Sequence, residues 1–229
     1  MSRARSWIVP GAVSAVLWVA AAAPMLAQGP MEYSLGGHGG LTLFTEFLEQ
    51  RADGGERELM ANPALSLGGS FSFTRWPLSE IRLGADWTGT DIEFQDDSGD
   101  ESDELDEEGL ADLNLVLLQL AVVRYLVPRD QPIAPYFTLG FDVAVWMLDE
   151  NAGGEVGAVE ETQLRYGATA GFGMLFAVAD RVGLKVEVDR ATVGNPFDGE
   201  SAFRVGGDTF DEPSTVGLTR LLAGLTYTL

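Results

Sequence analysis

Apolar and polar residues alternate along most of this chain. The cleanest run is Val182-Gly-Leu-Lys-Val-Glu-Val-Asp189. Successive side chains of a strand point to opposite faces. Val182, Leu184, Val186 and Val188 therefore share one side, and Lys185, Glu187 and Asp189 the other. The same period of two recurs in eight segments and predicts strands over 33–48, 61–76, 79–94, 113–127, 135–149, 162–178, 182–194 and 215–229. Eight such strands close in one of two ways. With the apolar face inward they make a soluble barrel; with it outward they make a barrel in lipid.

The connections favour lipid. Pro77-Leu78, Pro128 to Ala134 and Ala179-Asp-Arg181 are short. Glu49 to Met60, Gln95 to Asp112, Glu150 to Glu161 and Asn195 to Ser214 are long and polar. Short turns at one end and long loops at the other are the asymmetry of a transmembrane barrel. The strands also exceed the usual five or six residues of a soluble sheet and reach the ~9–11 that a tilted crossing needs. Their faces agree. Leu164, Tyr166, Ala168, Ala170, Phe172, Met174 and Phe176 oppose Gln163, Arg165, Gly167, Thr169, Gly171 and Gly173. Glycine, threonine and charge suit a narrow packed interior, so Leu139, Phe141, Val143, Leu184, Val186 and Leu225 are expected to face lipid. Trp76, Tyr125, Phe176 and Tyr227 fall near the short-turn ends and are expected at the membrane–water boundary.

One segment departs from the pattern. Leu113 to Val127 is apolar on both faces, and Gln119 and Arg124 have opposite parity. A bulge or an apolar patch inside the barrel would reconcile it. A buried helix is the competing reading, opposed by the strand rhythm and the valines.

The N-terminus has the layout of a secretory signal: Arg3 and Arg5, an apolar stretch from Ala12 to Ala23, and Ala27-Gln28 as a cleavage point. The stretch is short for a membrane-spanning helix of ~20 residues. The chain thus divides into a signal peptide, 1–27, and a barrel, 28–229. There is no cysteine, hence no lipid-anchored cysteine and no disulfide.

Charge narrows the partners. The chain holds 14 Lys+Arg and 35 Asp+Glu, a net of -21. Such acidity repels nucleic acid. Hydrophobic residues make up 46%, too many for an acidic disordered chain. The segment from Asp96 to Asp112 concentrates the acids. Asp96, Asp97, Asp100, Glu101, Asp103 and Asp106 offer hard oxygen ligands for Ca²⁺ or Mg²⁺ without the EF-hand spacing. The bland alternative is a solvated charge run. No other cofactor is indicated.

A second charge set has interior parity: Glu46, Glu80, Arg82, Asp86, Asp142, Arg165, Lys185, Glu187, Asp189 and Arg220. Charges enclosed in a narrow barrel must pair. They form either a salt-bridge plug that fixes register or a narrow ion path. Catalytic signals are thin. His38, in Gly36-Gly-His-Gly-Gly40, is the single histidine, and no GxSxG, HExxH or phosphate-binding loop occurs.

The mature chain resembles the small eight-stranded outer-membrane β-barrels of Gram-negative bacteria, the type of the OmpA and OmpX barrels. The resemblance rests on the signal, the eight amphipathic strands, tight turns such as Val178-Ala-Asp-Arg-Val182, and the C-terminal strand Thr219-Arg-Leu-Leu-Ala-Gly-Leu-Thr-Tyr-Thr-Leu229. A terminal apolar residue two positions after an aromatic one is similar to the family's assembly signal; the family usually ends in Phe, and here Leu229 stands in that place. The resemblance implies an antiparallel up-and-down barrel in the outer membrane. Its partners would be membrane lipids, lipopolysaccharide and the assembly machinery that reads the last strand, and the protein would be monomeric. The expected role is structural or one of surface interaction, without enzymatic activity. A narrow channel or small apolar ligand carrier is the alternative, and a periplasmic lipocalin-like binder the second.

Overall fold

The computed structural model describes residues 31–45, 48–52, 55–96, 111–150, 162–196 and 214–229. The strands are β1 (Glu32–Phe44), β2 (Leu48–Ala52), β3 (Gly55–Ala61), β4 (Ala64–Trp76), β5 (Ser79–Asp96), β6 (Ala111–Tyr125), β7 (Ile133–Glu150), β8 (Thr162–Ala179), β9 (Val182–Gly194) and β10 (Thr215–Thr228). Every pairing is antiparallel, and the order runs β5-β4-β1-β10-β9-β8-β7-β6 before β6 returns to β5. Eight strands therefore close on themselves. Closure leaves no unpaired edge in the wall, the condition a sheet must meet to cross lipid.

The expected strand bounds hold within a few residues for the eight wall strands. The first connection differs. The segment expected as a polar loop folds into the β2–β3 hairpin, and β3 continues the pairing of β5, from Ala61↔Ile92 to Arg57↔Asp96. Strand β5 is 18 residues long, and its end outruns β4. The hairpin pairs the backbone groups that would otherwise be left bare.

Parity decides the two faces. Outward positions are large and apolar: Leu65 is 74% exposed, Leu67 63% and Leu225 58%, while Leu139, Phe172, Leu184, Val186 and Val188 are also exposed. Phe141 and Val143 are half-buried on the same face. An apolar surface this continuous faces lipid, not water. At the short-turn end, exposed Tyr33 stacks on Phe71 with centroids 5.9 Å apart, and Tyr227 is exposed. Trp76 and Phe176 are half-buried there. Tyr125 does not join this girdle. In β6 the odd positions face the lumen, so Tyr125 turns inward and its hydroxyl donates to Glu80 Oε2 at 2.9 Å. A phenol prefers an enclosed carboxylate to the boundary when parity offers one.

The doubly apolar β6 carries no register shift against β5 or β7. The interior itself is apolar there. Leu113, Leu115 and Leu117 are buried, whereas Leu118 and Leu120 are exposed to lipid. Register shifts do occur near the short turns, between Thr74 and Trp76 and between Ala177 and Ala179.

Candidate functional site

Among the described residues, polar chemistry converges in the lumen. It is built in tiers along the barrel axis. Nearest the short turns lies an apolar–aromatic cluster of Val123, Tyr125, Ala134, Tyr136 and Leu175, covered by Leu78 and Val127 from the turns. Above it are two buried carboxylates. Glu187 accepts from Arg82 Nη1 at 2.8 Å, Tyr136 Oη at 2.8 Å and Thr138 Oγ1 at 3.0 Å, with Lys185 Nζ at 3.6 Å. Glu80 accepts from Ser72 Oγ at 2.8 Å, Tyr125 Oη at 2.9 Å and Arg82 Nε at 3.4 Å, with Arg129 Nη1 at 3.7 Å. Arg82 thus bridges β5 to β9 through the middle of the barrel. Its guanidinium lies 5.5 Å from the Tyr136 ring centroid, and its Nη2 has no hydrogen-bond partner among the described residues.

A second tier sits at mid-height. Arg220 grips Asp189 with two parallel bonds, Nε to Oδ1 at 2.7 Å and Nη2 to Oδ2 at 2.9 Å. Its Nη1 reaches Asp86 Oδ2 at 2.9 Å, and His38 Nε2 meets Asp86 Oδ1. Asp142 is held by Thr169 Oγ1 and by Gln119 Nε2 at 3.4 Å. The strands enforce this meeting. His38 and Asp86 both face Gly68 in register, and a side chain at Gly68 would stand 2.1 Å from Asp86 Oδ1 and 2.6 Å from His38 Nε2. Only glycine leaves room for the contact.

Above this tier the lumen changes character. Thr42, Ser66 and Thr88 join hydroxyl to hydroxyl on β1, β4 and β5, the Ser66–Thr88 pair at 2.6 Å. Facing them, Leu113, Leu115, Leu117, Ala144, Trp146, Ala191, Val193, Val216 and Leu218 are buried. The interior is therefore apolar–aromatic at the short turns, ionic above them, and largely apolar again toward the long loops.

The ten lumen charges expected from parity include Asp142, placed above; the others are distributed as follows. Glu80, Arg82, Lys185 and Glu187 meet in the lower tier, and Asp86, Asp189 and Arg220 in the middle one. Arg165 stands apart, at the long-loop rim. Its Nε donates to Asn195 O at 2.8 Å, and its Nη2 to Gln163 Oε1 at 2.7 Å and Pro196 O at 3.3 Å. It lies near the start of β8, too far up the barrel for the charged tiers. Glu46 lies outside the described residues. So do Asp97, Asp100, Glu101, Asp103 and Asp106 of the proposed cation set; Asp96 ends β5, its backbone in register with Arg57. Among the described residues no group of three or more His, Asp or Glu is disposed to hold a metal.

Sequence reasoning missed the neutral donors. The enclosed acids outnumber the bases, and Tyr125, Tyr136, Ser72, Thr138, Thr169 and Gln119 supply what the cations do not. The parity of Asp142 and Thr138 extends one step back to Tyr136, so that signal was present. His38 spends Nε2 on Asp86, which makes it part of the hydrogen-bond network of the middle tier. Chemically, the arrangement can hold register, exclude ions and seal the axis. A recess of 10 Å³ lined by Ser72, Glu80, Tyr125, Arg129 and Lys185, among others, has room for about one water.

Comparison with known proteins places this geometry. No family model matches the chain, and no curated protein matches it in sequence. Solved structures do match. The outer membrane protein OprG from Pseudomonas aeruginosa is 13% identical, with 86% of this chain and 96% of that chain covered and a TM-score of 0.61. The outer membrane protein AlkL, determined in lipid bilayers, is 11% identical over 90% of this chain and 94% of that chain, at 0.52. Neisserial surface protein A is 13% identical over 87% and 99%, at 0.51. The likeness lies in the closed ring of eight antiparallel strands. The chain has the fold of the small eight-stranded β-barrels of the Gram-negative outer membrane.

Proposed function

We propose that the chain is a structural or surface-interaction barrel of the outer membrane, sealed along its axis and presenting acidic loops at the end opposite the short turns. One observation carries this reading: two stacked tiers of buried, mutually bonded charges fill the lumen where a pore would run. An eight-stranded interior is just wide enough for side chains, and here Arg82 and Arg220 each bind carboxylates on two different strands. A hydrated path would need those groups to face water. The test is reconstitution into planar bilayers after showing that the protein migrates differently on gels before and after boiling. No single-channel current is expected from the heat-modifiable form; steady conductance would replace this reading with the channel.

A second reading has its own support. The apolar wall around Trp146 and Leu115, buried on the long-loop side of the charged tiers, suits a small apolar ligand stopped by those tiers. Brominated alkanes added to the folded protein would quench Trp146 if they enter, read as the part of the quenching that is lost in Trp146→Phe while that of the outward tryptophans stays. Unquenched Trp146 at saturating alkane would exclude the carrier. In either reading the acidic run beginning at Asp96 takes Ca²⁺ weakly and links the loop to lipopolysaccharide phosphates.

A further inference from the structure

We propose that Arg75 and Arg124 form a clamp for the phosphate of an anionic phospholipid, at the short-turn boundary beside the β4–β5 turn. The inference goes beyond the sealed barrel but rests on its spanning a membrane. Both arginines have lipid-side parity and both are exposed. They flank the same residue of β5: Trp76, next to Arg75, is in register with Ser79, and Ser79 is in register with Arg124. Two strand spacings put their backbones roughly 10 Å apart, a gap that two arginine side chains close over one phosphate.

Each is set in place differently. Arg124 Nη1 donates to Ser79 Oγ at 2.6 Å, which lays the guanidinium across the face of β5 and leaves its other donors open. Arg75 is the extra residue of the register shift between Thr74 and Trp76. Bulges at barrel rims re-aim side chains. Neither arginine has a carboxylate partner among the described residues, whereas Arg82, Lys185 and Arg220 in the lumen all do. In a chain of net charge -21, acids for such partners are plentiful. Two unpaired cations on the lipid side of the wall call for a counter-ion from the membrane. Directly toward the membrane centre the outward positions are Phe73, Ile81 and Val122, in register with one another, so the acyl chains of a lipid held by its headgroup would lie on apolar wall. Guanidinium groups suit this task because their planar forks match phosphate oxygens.

The test uses the full barrel in nanodiscs of phosphatidylcholine with a minor fraction of phosphatidylglycerol, and counts retained lipids by native mass spectrometry. Wild type is expected to retain phosphatidylglycerol above its bulk ratio by about fivefold per arginine. Arg75→Gln with Arg124→Gln is expected to return to the bulk ratio. Arg181→Gln, at the same end but in the β8–β9 turn on the far side of the ring, is expected to keep the enrichment. No enrichment in wild type, equal enrichment in the double variant, or equal loss in Arg181→Gln would each overturn the clamp. If the double variant does not fold, wild type alone decides. Its enrichment must fall toward the bulk ratio as salt rises to about 1 M, where charges are screened beyond roughly 3 Å; enrichment that persists overturns the proposal. Wild type that fails to insert at all would overturn the membrane reading and the clamp with it, and insertion without enrichment the clamp alone.

Discussion

Arg220 holds two carboxylates from two other strands, Asp189 on β9 and Asp86 on β5, with three bonds of 2.7 to 2.9 Å. Replacing it with leucine would leave both acids buried without their cation. Breaking a buried pair from one side costs about 3–5 kcal/mol. Arg220→Leu is therefore expected to lower unfolding free energy in lipid by that amount, measured by urea titration of the reconstituted barrel. Arg165→Leu is expected to cost clearly less, because Arg165 is half-buried at the rim. Equal losses would mean that the middle tier is not a buried ionic unit. Gly68 makes a complementary case by addition. A methyl there would meet Asp86 Oδ1 at 2.1 Å, His38 Nε2 at 2.6 Å and Ala85 O at 2.7 Å. The backbone oxygen cannot step aside cheaply, so Gly68→Ala is expected to cost about 1–3 kcal/mol as overpacking. The same titration checks it, and an unchanged midpoint would show that the wall there is looser than its geometry implies.

At the scale of the element, the lipid side is decided by parity. Val186 faces outward about four residues from the short β8–β9 turn and pairs with Ala223 and Met174, near the middle of the apolar band. Val186→Arg is expected to cost about 2–4 kcal/mol at that depth. Lys185, one residue earlier at nearly the same height, points instead into the lumen, where its Nζ lies 3.6 Å from Glu187 Oε2. An unchanged unfolding free energy for Val186→Arg in lipid would contradict the outward assignment. The eight wall strands were legible because a period of two is a local property, written into each segment. What escaped is non-local. The β2–β3 hairpin exists because β5 outruns β4, a fact about two strands and not about residues 48–61. β6 was ambiguous because its inner face is apolar, and only its neighbour β7 and the more distant β9 and β10 show that the upper lumen is apolar too. Arg165 had the right parity but the wrong height. Parity fixes which face a side chain takes, and it leaves the position along the axis to the register.

The whole molecule is polarised along its axis. The four connections between wall strands opposite the short turns, 45–63, 97–110, 151–161 and 195–214, hold five, eight, three and five acids, 21 together, against Arg51, Arg57 and Arg204. At the other end the turns and strand ends carry Arg75, Arg124, Arg129 and Arg181 against Glu32, Asp130 and Asp180. Between them the ionic tiers keep register while the wall meets lipid. The barrel closes through β1–β10 and β5–β6, and neither pairing draws on residues 97–108. Stability depends on loop length only logarithmically. Deleting Asp97 to Glu108 is thus expected to leave a folded, heat-modifiable barrel. Calcium is the second readout. Many carboxylates without a preorganised cage suit an affinity of ~10⁻⁴–10⁻³ M, the range of extracellular calcium modules. Isothermal titration of the intact and loop-deleted proteins in one detergent is expected to show binding in that range only for the intact chain. Equal binding by both would move the cation to another loop, and loss of folding on deletion would make the acidic run part of the barrel's own architecture.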